Sequence, residues 1–483
     1  MGKSVKKNYI LSLLDTVLGI AFPLITFPYV TRILSPGDIG QVQFYQNIIG
    51  YITLFSAFGI PLYGVREVAK RRGNVVERNK STIELLILHI ILTAIGYLAV
   101  YIMCMTVGKI QENAVLFWVL SLGLFFSMIG CSWFYQAMED FEYITIRSLL
   151  VKILSLILLF TLVKNANDIL WYAIVLVCGS AGNNIFNLIR LTKYIKKSDI
   201  QGRLTPFIHV RPALKIFALN LTIGLYTQLS VFLLGFMQSN EDVGYYSMAQ
   251  KIIVVVNSVV LTLSTVLLPR LSQYIGNHQD AEFKFLGDKA ISFVLAISVP
   301  ICTGLVLLSK PIILVMFGQA YYPSISVLAL YAPIITIIGL SQVFGKSILY
   351  SAGHEGLMIT CTFIGMVTYM VVGIPGVKCL SIIGGVLGSL CAEIAVTLSM
   401  ILLGKKYHPC TLLRKENLTY VIASVIMGIP VFLCTYLTKS YVMQLVIGIP
   451  LGSLTYISVL AIMRNRFFIE SKNLLLSYVG NSK

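Results

Sequence analysis

Charged residues are scarce in this chain. Asp, Glu, Lys and Arg make up 12% of its 483 residues, where a water-soluble protein carries about a quarter. That excludes an ordinary soluble domain. The five histidines are scattered and form no H-E-x-x-H, and none of the nine cysteines forms a C-x-x-C pair. The common spacings for zinc or a redox disulfide are therefore missing, and neither a metal nor a cofactor is expected. Long polar stretches are also lacking, so no outer loop has room for a folded catalytic domain.

What is present is apolar length. Hydrophobic residues reach 57% and mean hydropathy is +0.84, with repeated runs long enough to span a bilayer as helices. Fourteen runs are counted, at roughly 9–34, 41–65, 82–107, 114–136, 144–163, 168–190, 214–237, 243–268, 286–308, 324–349, 356–376, 380–403, 417–437 and 441–463. The fold class that follows is an all-α integral membrane protein. An even count returns the chain to its starting side. Of the 37 basic residues, 29 fall toward that side. Six fall on the other (Arg32, Lys109, Lys164, Lys310, Lys378 and Lys439), and Lys152 and Lys251 lie within spans. Positive charge favours the inner side, so both termini are expected in the cytoplasm. The same placement explains the net charge of +17 without a nucleic-acid partner. The basic start MGKSVKKNY leads into a first span rather than a cleaved signal. Cysteines such as Cys104 and Cys361 sit inside apolar runs and are expected as small core residues. Residues 309–324 are half-apolar and too short to cross, which suggests a helix at the outer interface.

The stretch from Phe22 to Gly73 organises the rest. Its first span carries Pro23 and Pro28, tolerable in a bilayer where neighbouring helices re-satisfy the freed carbonyls. The corner SPGDIG is turn chemistry. Gln41, Gln43, Gln46 and Asn47 then precede an apolar run, and such amides are expected to face protein or water. The loop over 64–80 holds six basic and two acidic residues. Lys70, Arg71 and Arg72 within it are expected to set topology and meet lipid headgroups.

An internal repeat is visible. At an offset of 204, Asp38-Ile39-Gly40 falls on Asp242-Val243-Gly244, Gln46 on Gln250 and Arg66 on Arg270. At 215, Tyr135-Gln136-Ala137 matches Tyr350-Ser351-Ala352. Each half holds six spans, so the repeats are expected to be parallel, with a cavity where they meet. The expected division is an N-lobe over 1–195, a basic linker over 196–213, a C-lobe over 214–405, and two extra helices with a tail over 406–483.

The runs FPLITFPYVTRILSP, GIPLYGVREVAKR, WFYQAMEDFEYITIR (133–147) and LLPRL (267–271) resemble the Wzx-like bacterial oligosaccharide flippases, the polysaccharide transporters of the multidrug/oligosaccharidyl-lipid/polysaccharide (MOP) superfamily. The resemblance covers nearly the whole chain. It implies two six-helix lobes that open to alternate faces. The implied cargo is an undecaprenyl-diphosphate-linked oligosaccharide, moved to the outer leaflet of the inner membrane for O-antigen, capsule or related polymers. Membrane lipids and a polysaccharide polymerase or assembly protein are the implied partners.

No bond is made or broken in such transport, so no catalytic residues are required. The cargo's diphosphate needs cations. Lys152, in the fifth span, and Lys251, in the eighth, are the sharpest candidates, because an unpaired lysine at that depth is costly. Lys251 has Asn47 as its repeat counterpart. Arg66 and Arg270 end repeat-equivalent spans and suit either a cytoplasmic mouth or a topology anchor. Arg32 stands at an outer rim or pairs with Asp38. Arg147 neighbours Glu139, Asp140 and Glu142, and suits a structural ion pair. Gln46 and Asn47 complete the substrate-facing set. Asp15, Glu67 and Glu393 are candidates for ion coupling, or for capping and salt-bridge duty. Gly384 and Gly388 form a G-x-x-x-G suited to helix packing.

Alternatives are a peptidoglycan-precursor lipid flippase, which shares the diphosphate, and a cation-coupled multidrug exporter of the same superfamily. The exporter would need an acidic cavity, whereas this chain places more cations than carboxylates in its spans. A glycan polymerase or acyltransferase would carry a large outer loop or an intramembrane His/Asp constellation. His89, the only histidine inside a span, has no acidic neighbour.

Overall fold

The computed structural model describes residues 22–195, 203–277, 279–407 and 414–465, with residues 11, 14 and 19 ahead of them. Every regular element among the described residues is a helix. The chain separates into two compact units, Met1–Gly244 and Tyr245–Lys483.

In the first unit, α1 (residues 22–30) ends in a turn, and Ser35 starts α2 (Pro36–Ala57). The SPGD sequence supplies a capping box with Pro at the first helical turn. Asp38 N donates to Ser35 Oγ at 3.1 Å, and Asp38 Oδ2 accepts from Ser35 N at 3.2 Å and from Ser35 Oγ at 2.6 Å. The run expected as one span over 41–65 is two helices. Phe58 (φ 45°) and Gly59 (φ 73°) break it, and α3 (Ile60–Lys70) starts afresh. The cause is a backbone that comes too close for a side chain: a Cβ on Gly59 would lie 2.8 Å from Ala213 O and 2.9 Å from Phe217 N.

The unit continues through α4 (Val75–Thr106), α5 (Gly108–Gln111), α6 (Ala114–Ile129), α7 (Ser132–Ala137), α8 (Phe141–Leu162), α9 (Ile169–Ala181) and α10 (Asn183–Tyr194). A short 3₁₀ turn, Pro206–His209, then leads into α11 (Val210–Met237). This last helix lies along α2, so the compact unit ends later in the chain than the sequence repeat does. Three contacts fasten it. Lys109 on α5 donates from Nζ to Gly235 O at 2.7 Å and Gln238 O at 2.6 Å, which places a cation at the C-terminal end of α11. Burial holds that ammonium below the usual lysine range. Asn47 reaches α11 from α2, as described below. At the other end of α11, His209 bridges Tyr63 Oη (3.0 Å from Nδ1) and Glu84 Oε2 (3.1 Å from Nε2), while Glu84 Oε1 accepts from Thr205 N at 2.9 Å. All three side chains are buried.

The helix running through α6 and α7 is broken at Gly130–Cys131, where Cys131 has φ 41°. Asn187 on α10 closes the break: its amide donates to Gly130 O and to Ser132 Oγ at 3.1 Å.

α12 (Asn240–Gly276) carries the chain into the second unit. There follow α13 (Asp280–Leu307), α14 (Ser309–Phe317), α15 (Ser324–Tyr331) and α16 (Ile334–Gln342). A π-helical stretch, Val343–Tyr350, comes next, then α17 (Glu355–Leu403), α18 (Lys415–Leu437) and α19 (Tyr441–Ile462). The 49 residues of α17 fold back at Ser381 (φ 48°, ψ −123°). Gly384 lies against Gly376 and Gly388 against Gly373, the close packing expected of the G-x-x-x-G. α18 and α19 pack on each other and on α13, with Tyr456 Oη donating to Ala296 O at 2.8 Å.

Eleven helices among the described residues are long and apolar enough to cross a membrane. The sequence suggests fourteen spans. The difference lies in α17, counted once although it folds back, and in the first and seventh spans. Only residues 22–30 of the first are continuously described, and only Gln228–Met237 of α11 counts as a shorter apolar helix.

The repeat is visible in detail. Ser239 caps α12 as Ser35 caps α2: its Oγ accepts from Asp242 N at 3.1 Å and donates to Asp242 Oδ2 at 2.9 Å. A methyl on Gly40 would run into the carbonyl of Asn240, and one on Gly244 into the carbonyl of Pro36. The offset of 204 converts each contact into the other, so these two helix starts meet reciprocally. The offset of 215 carries Gly130, at the break before α7, onto Gly345 in the π-helical stretch.

We expect Gly40→Ala to lower the thermal unfolding temperature of the detergent-purified protein by several degrees, since overpacking costs about 1–3 kcal/mol. Gly123→Ala, with nothing within 4 Å of the added Cβ, should leave it unchanged.

Candidate functional site

Lys152 lies on α8, half-buried, and a Cβ on Gly19 of the first span would be 3.9 Å from its Nζ. The lysine therefore points toward the proline-bearing helix. Lys251 is half-buried, about three turns into α12. Its counterpart Asn47 is buried on α2 and donates from Nδ2 to Gln228 O at 3.1 Å and Gln228 Oε1 at 3.0 Å. Asn47 Oδ1 has no hydrogen-bond partner among the described residues. Gln46 accepts from Gln43 Nε2 at 3.2 Å. Asn47 thus ties α2 to α11 through Gln228, a residue that sequence reasoning did not single out.

Arg66 on α3 and Arg270 near the end of α12 are both exposed. Arg32 is exposed in the turn after α1, and the carboxylate of Asp38, its candidate partner, is engaged by Ser35. Arg147 is buried. It donates to Asn187 Oδ1 and stands 5.3 Å from the Tyr143 ring centroid. Two of its acidic neighbours serve other cations: Asp140 pairs with Arg190 at 2.7 Å and Glu139 with Arg72 at 3.0 Å. Arg147 therefore supports the residue that closes the α6–α7 break.

Glu67 pairs with Arg71, which also donates to Ser81 Oγ at 2.8 Å. Arg72 donates to Met138 O at 3.0 Å. Arg71 and Arg72 also bond protein groups, because the start of α4 and the turn after α7 bring oxygen acceptors to them. Glu393 is buried on the second half of α17, near Tyr331. The Tyr331 ring centroid lies 5.8 Å from that of Tyr246, whose Oη is 3.3 Å from Ser389 Oγ. Asp15 lies outside the described residues. Lys152, Arg66, Arg32, Arg147, Gln46, Asn47 and Glu67 belong to the first unit; Lys251, Arg270 and Glu393 belong to the second.

The second unit also holds an apolar groove of about 540 Å³ between α13 and the α18–α19 pair, lined by Pro300, Gly304, Met427, Val431, Gly448 and Tyr456 among others. A Cβ on Gly304 would meet nothing within 4 Å. Sequence reasoning set α18 and α19 apart only as two extra helices beyond the repeat. The groove arises from helices distant in the chain, which periodicity cannot bring together.

The family model described as polysaccharide biosynthesis protein matches residues 5–275. Two curated relatives carry the name "putative O-antigen transporter". The one from Shigella dysenteriae is 25% identical over 400 residues, 82% of this chain and 99% of that protein. The one from Escherichia coli (strain K12) is 24% identical over 357 residues, 73% of this chain and 85% of that protein. Among solved structures, the lipid II flippase MurJ in an inward closed conformation is similar at a TM-score of 0.68 and 17% identity, covering 94% of this chain and 98% of that one. An inward-facing multidrug resistance MATE transporter of the MOP superfamily is similar at 0.66 and 14%, covering 84% and 95%. At such identities the structures speak to the fold alone.

Replacing Asn187 with Leu would strand the Gly130 carbonyl and remove a partner of the buried Arg147. We expect a loss of about 3 kcal/mol, each stranded group costing roughly 1–3 kcal/mol. Glu67→Gln should cost less than about 1 kcal/mol, because Arg71 is a third exposed. Denaturant titration of both variants in one detergent checks the order.

Proposed function

The chain belongs to the polysaccharide biosynthesis protein family, and on that premise we propose that it is a flippase, not an enzyme. It carries polyprenyl-diphosphate-linked oligosaccharide repeat units from the cytoplasmic to the outer leaflet of the bacterial inner membrane, for O-antigen, capsule or exopolysaccharide synthesis. Both termini lie in the cytoplasm, and transport proceeds by alternating access. The observation that carries this reading is the match to relatives named as O-antigen transporters, one of them along almost its entire length.

The physical chemistry supports it. Crossing the bilayer with a diphosphate requires compensating cations, and Lys152 and Lys251 lie on helices long and apolar enough to span it. The isoprenoid tail requires an apolar path, which the groove beside α13 can supply. In this reading Arg66 and Arg270 gather diphosphate at the inner mouth, Arg32 acts at the outer rim, and Gln46 and Asn47 meet the glycan. Arg147 holds the local scaffold near the path. Asp15, Glu67 and Glu393 are the acids available to couple an ion.

The test is reconstitution into proteoliposomes with a lipid-linked repeat unit, reading its appearance in the opposite leaflet with a lectin. Wild-type protein should accelerate flipping over empty vesicles, and drug efflux measured beside it should not rise. Lys152→Glu and Lys251→Glu should each slow flipping by about tenfold or more, the scale of a lost charged hydrogen bond. Unchanged rates in both would remove the lysines from the mechanism. Gly304→Leu, which fills the groove, should slow a long-chain carrier more than a short isoprenoid analogue.

A further inference from the structure

Apart from the residues above, the first unit holds a pocket of about 340 Å³ among α3, α4, α7 and α10. That is at the small end of ligand sites, which run from about 300 to 1,000 Å³. Its polar wall comes from His89, Ser132, Gln136 and Asn184, and Trp133 adds an aromatic surface. No lining residue is charged.

Two features make this more than a packing fault. His89 is 3% exposed, and its Nδ1 has no hydrogen-bond partner among the described residues. Leaving a buried polar nitrogen unmatched costs about 1–3 kcal/mol, so the imidazole stands in the pocket wall at a cost that packing alone does not repay. The second feature is the break at Gly130–Cys131, which brings main chain to the pocket wall. A Cβ on Gly130 would come within 2.6 Å of the Asn184 side chain, so only glycine leaves that amide its place. The break is itself secured by Asn187, so the wall is built and braced.

Amides, a hydroxyl and an imidazole, with an indole beside them and no charge, form a donor and acceptor set suited to a neutral polyhydroxylated ring. The exposed Arg66 directly follows the lining residue Val65, so a cation suited to a diphosphate stands next in the chain. We propose that this pocket receives one uncharged sugar ring of the cargo, with the His89 imidazole and Gln136 bonding its hydroxyls. The proposal rests on the flippase reading above.

The experiment uses full-length protein in lipid nanodiscs and two probes: undecaprenyl diphosphate bearing one N-acetylhexosamine, and undecaprenyl diphosphate alone. Binding is read from intrinsic tryptophan fluorescence and flipping from proteoliposomes. Wild type should prefer the sugar-bearing probe by about tenfold. His89→Leu and Gln136→Leu should each bring that preference close to unity and leave affinity for the bare diphosphate unchanged. Gln136 is exposed, so its variant decides the matter if His89→Leu does not fold. Preference retained in the variants, or equal binding of both probes by wild type, overturns the sugar pocket while the flippase reading stands. Failure of wild type to bind or flip either probe overturns that reading and the pocket with it.

Discussion

A backbone carbonyl surrounded by lipid-facing helices must find a partner inside the protein, and in the first unit that requirement falls on Asn187. The chain breaks at Cys131 so that α7 can pack beneath α3, where the Trp133 ring lies against Gly64. The break frees the Gly130 carbonyl, and the Asn187 amide takes it. The oxygen of that amide accepts from Arg147, and its own backbone carbonyl accepts from Tyr135 Oη at 2.7 Å. One fully buried amide thus holds a helix break, a buried cation and a tyrosine in register. Arg190, stacked 3.9 Å from the Tyr143 ring centroid and paired with Asp140, closes the same knot from the side of α10.

The second repeat meets the same requirement differently. At the position equivalent to Gly130 the helix does not break but widens into π geometry, keeping its hydrogen bonds within the chain. No amide like Asn187 is then needed at that point. The polar residues within spans diverge too: Asn47 binds Gln228 in the first unit, where its counterpart in the second is Lys251. The repeats share their serine caps and glycine contacts, and they differ where polar groups stand inside the spans. Shared framework with divergent interior chemistry is what an asymmetric cargo, charged at one end and neutral at the other, would require.

Much of the framework was legible in the sequence. Apolar run length, the SPGDIG corner and the G-x-x-x-G each encode a local rule, and local rules survive folding. The break at Phe58–Gly59 was not legible, because what forces it is the backbone of residues 213–217, remote in sequence. The fates of Arg71, Arg72 and Arg147 were hidden for the same reason. Their further partners are remote in sequence: Ser81 on α4 for Arg71, Met138 and Glu139 after α7 for Arg72, and Asn187 on α10 for Arg147. Composition could flag which residues are costly within a membrane, but not which neighbour relieves the cost.

The chain of Tyr63, His209 and Glu84 has a mechanical consequence. The turn that enters α11 is bolted to α3 and α4 by buried polar bonds, and opening it would strand an imidazole and a carboxylate away from water. Such a joint is a rigid coupling rather than a slack tether. Rotation of α11 at that end must drag α3 and α4 with it.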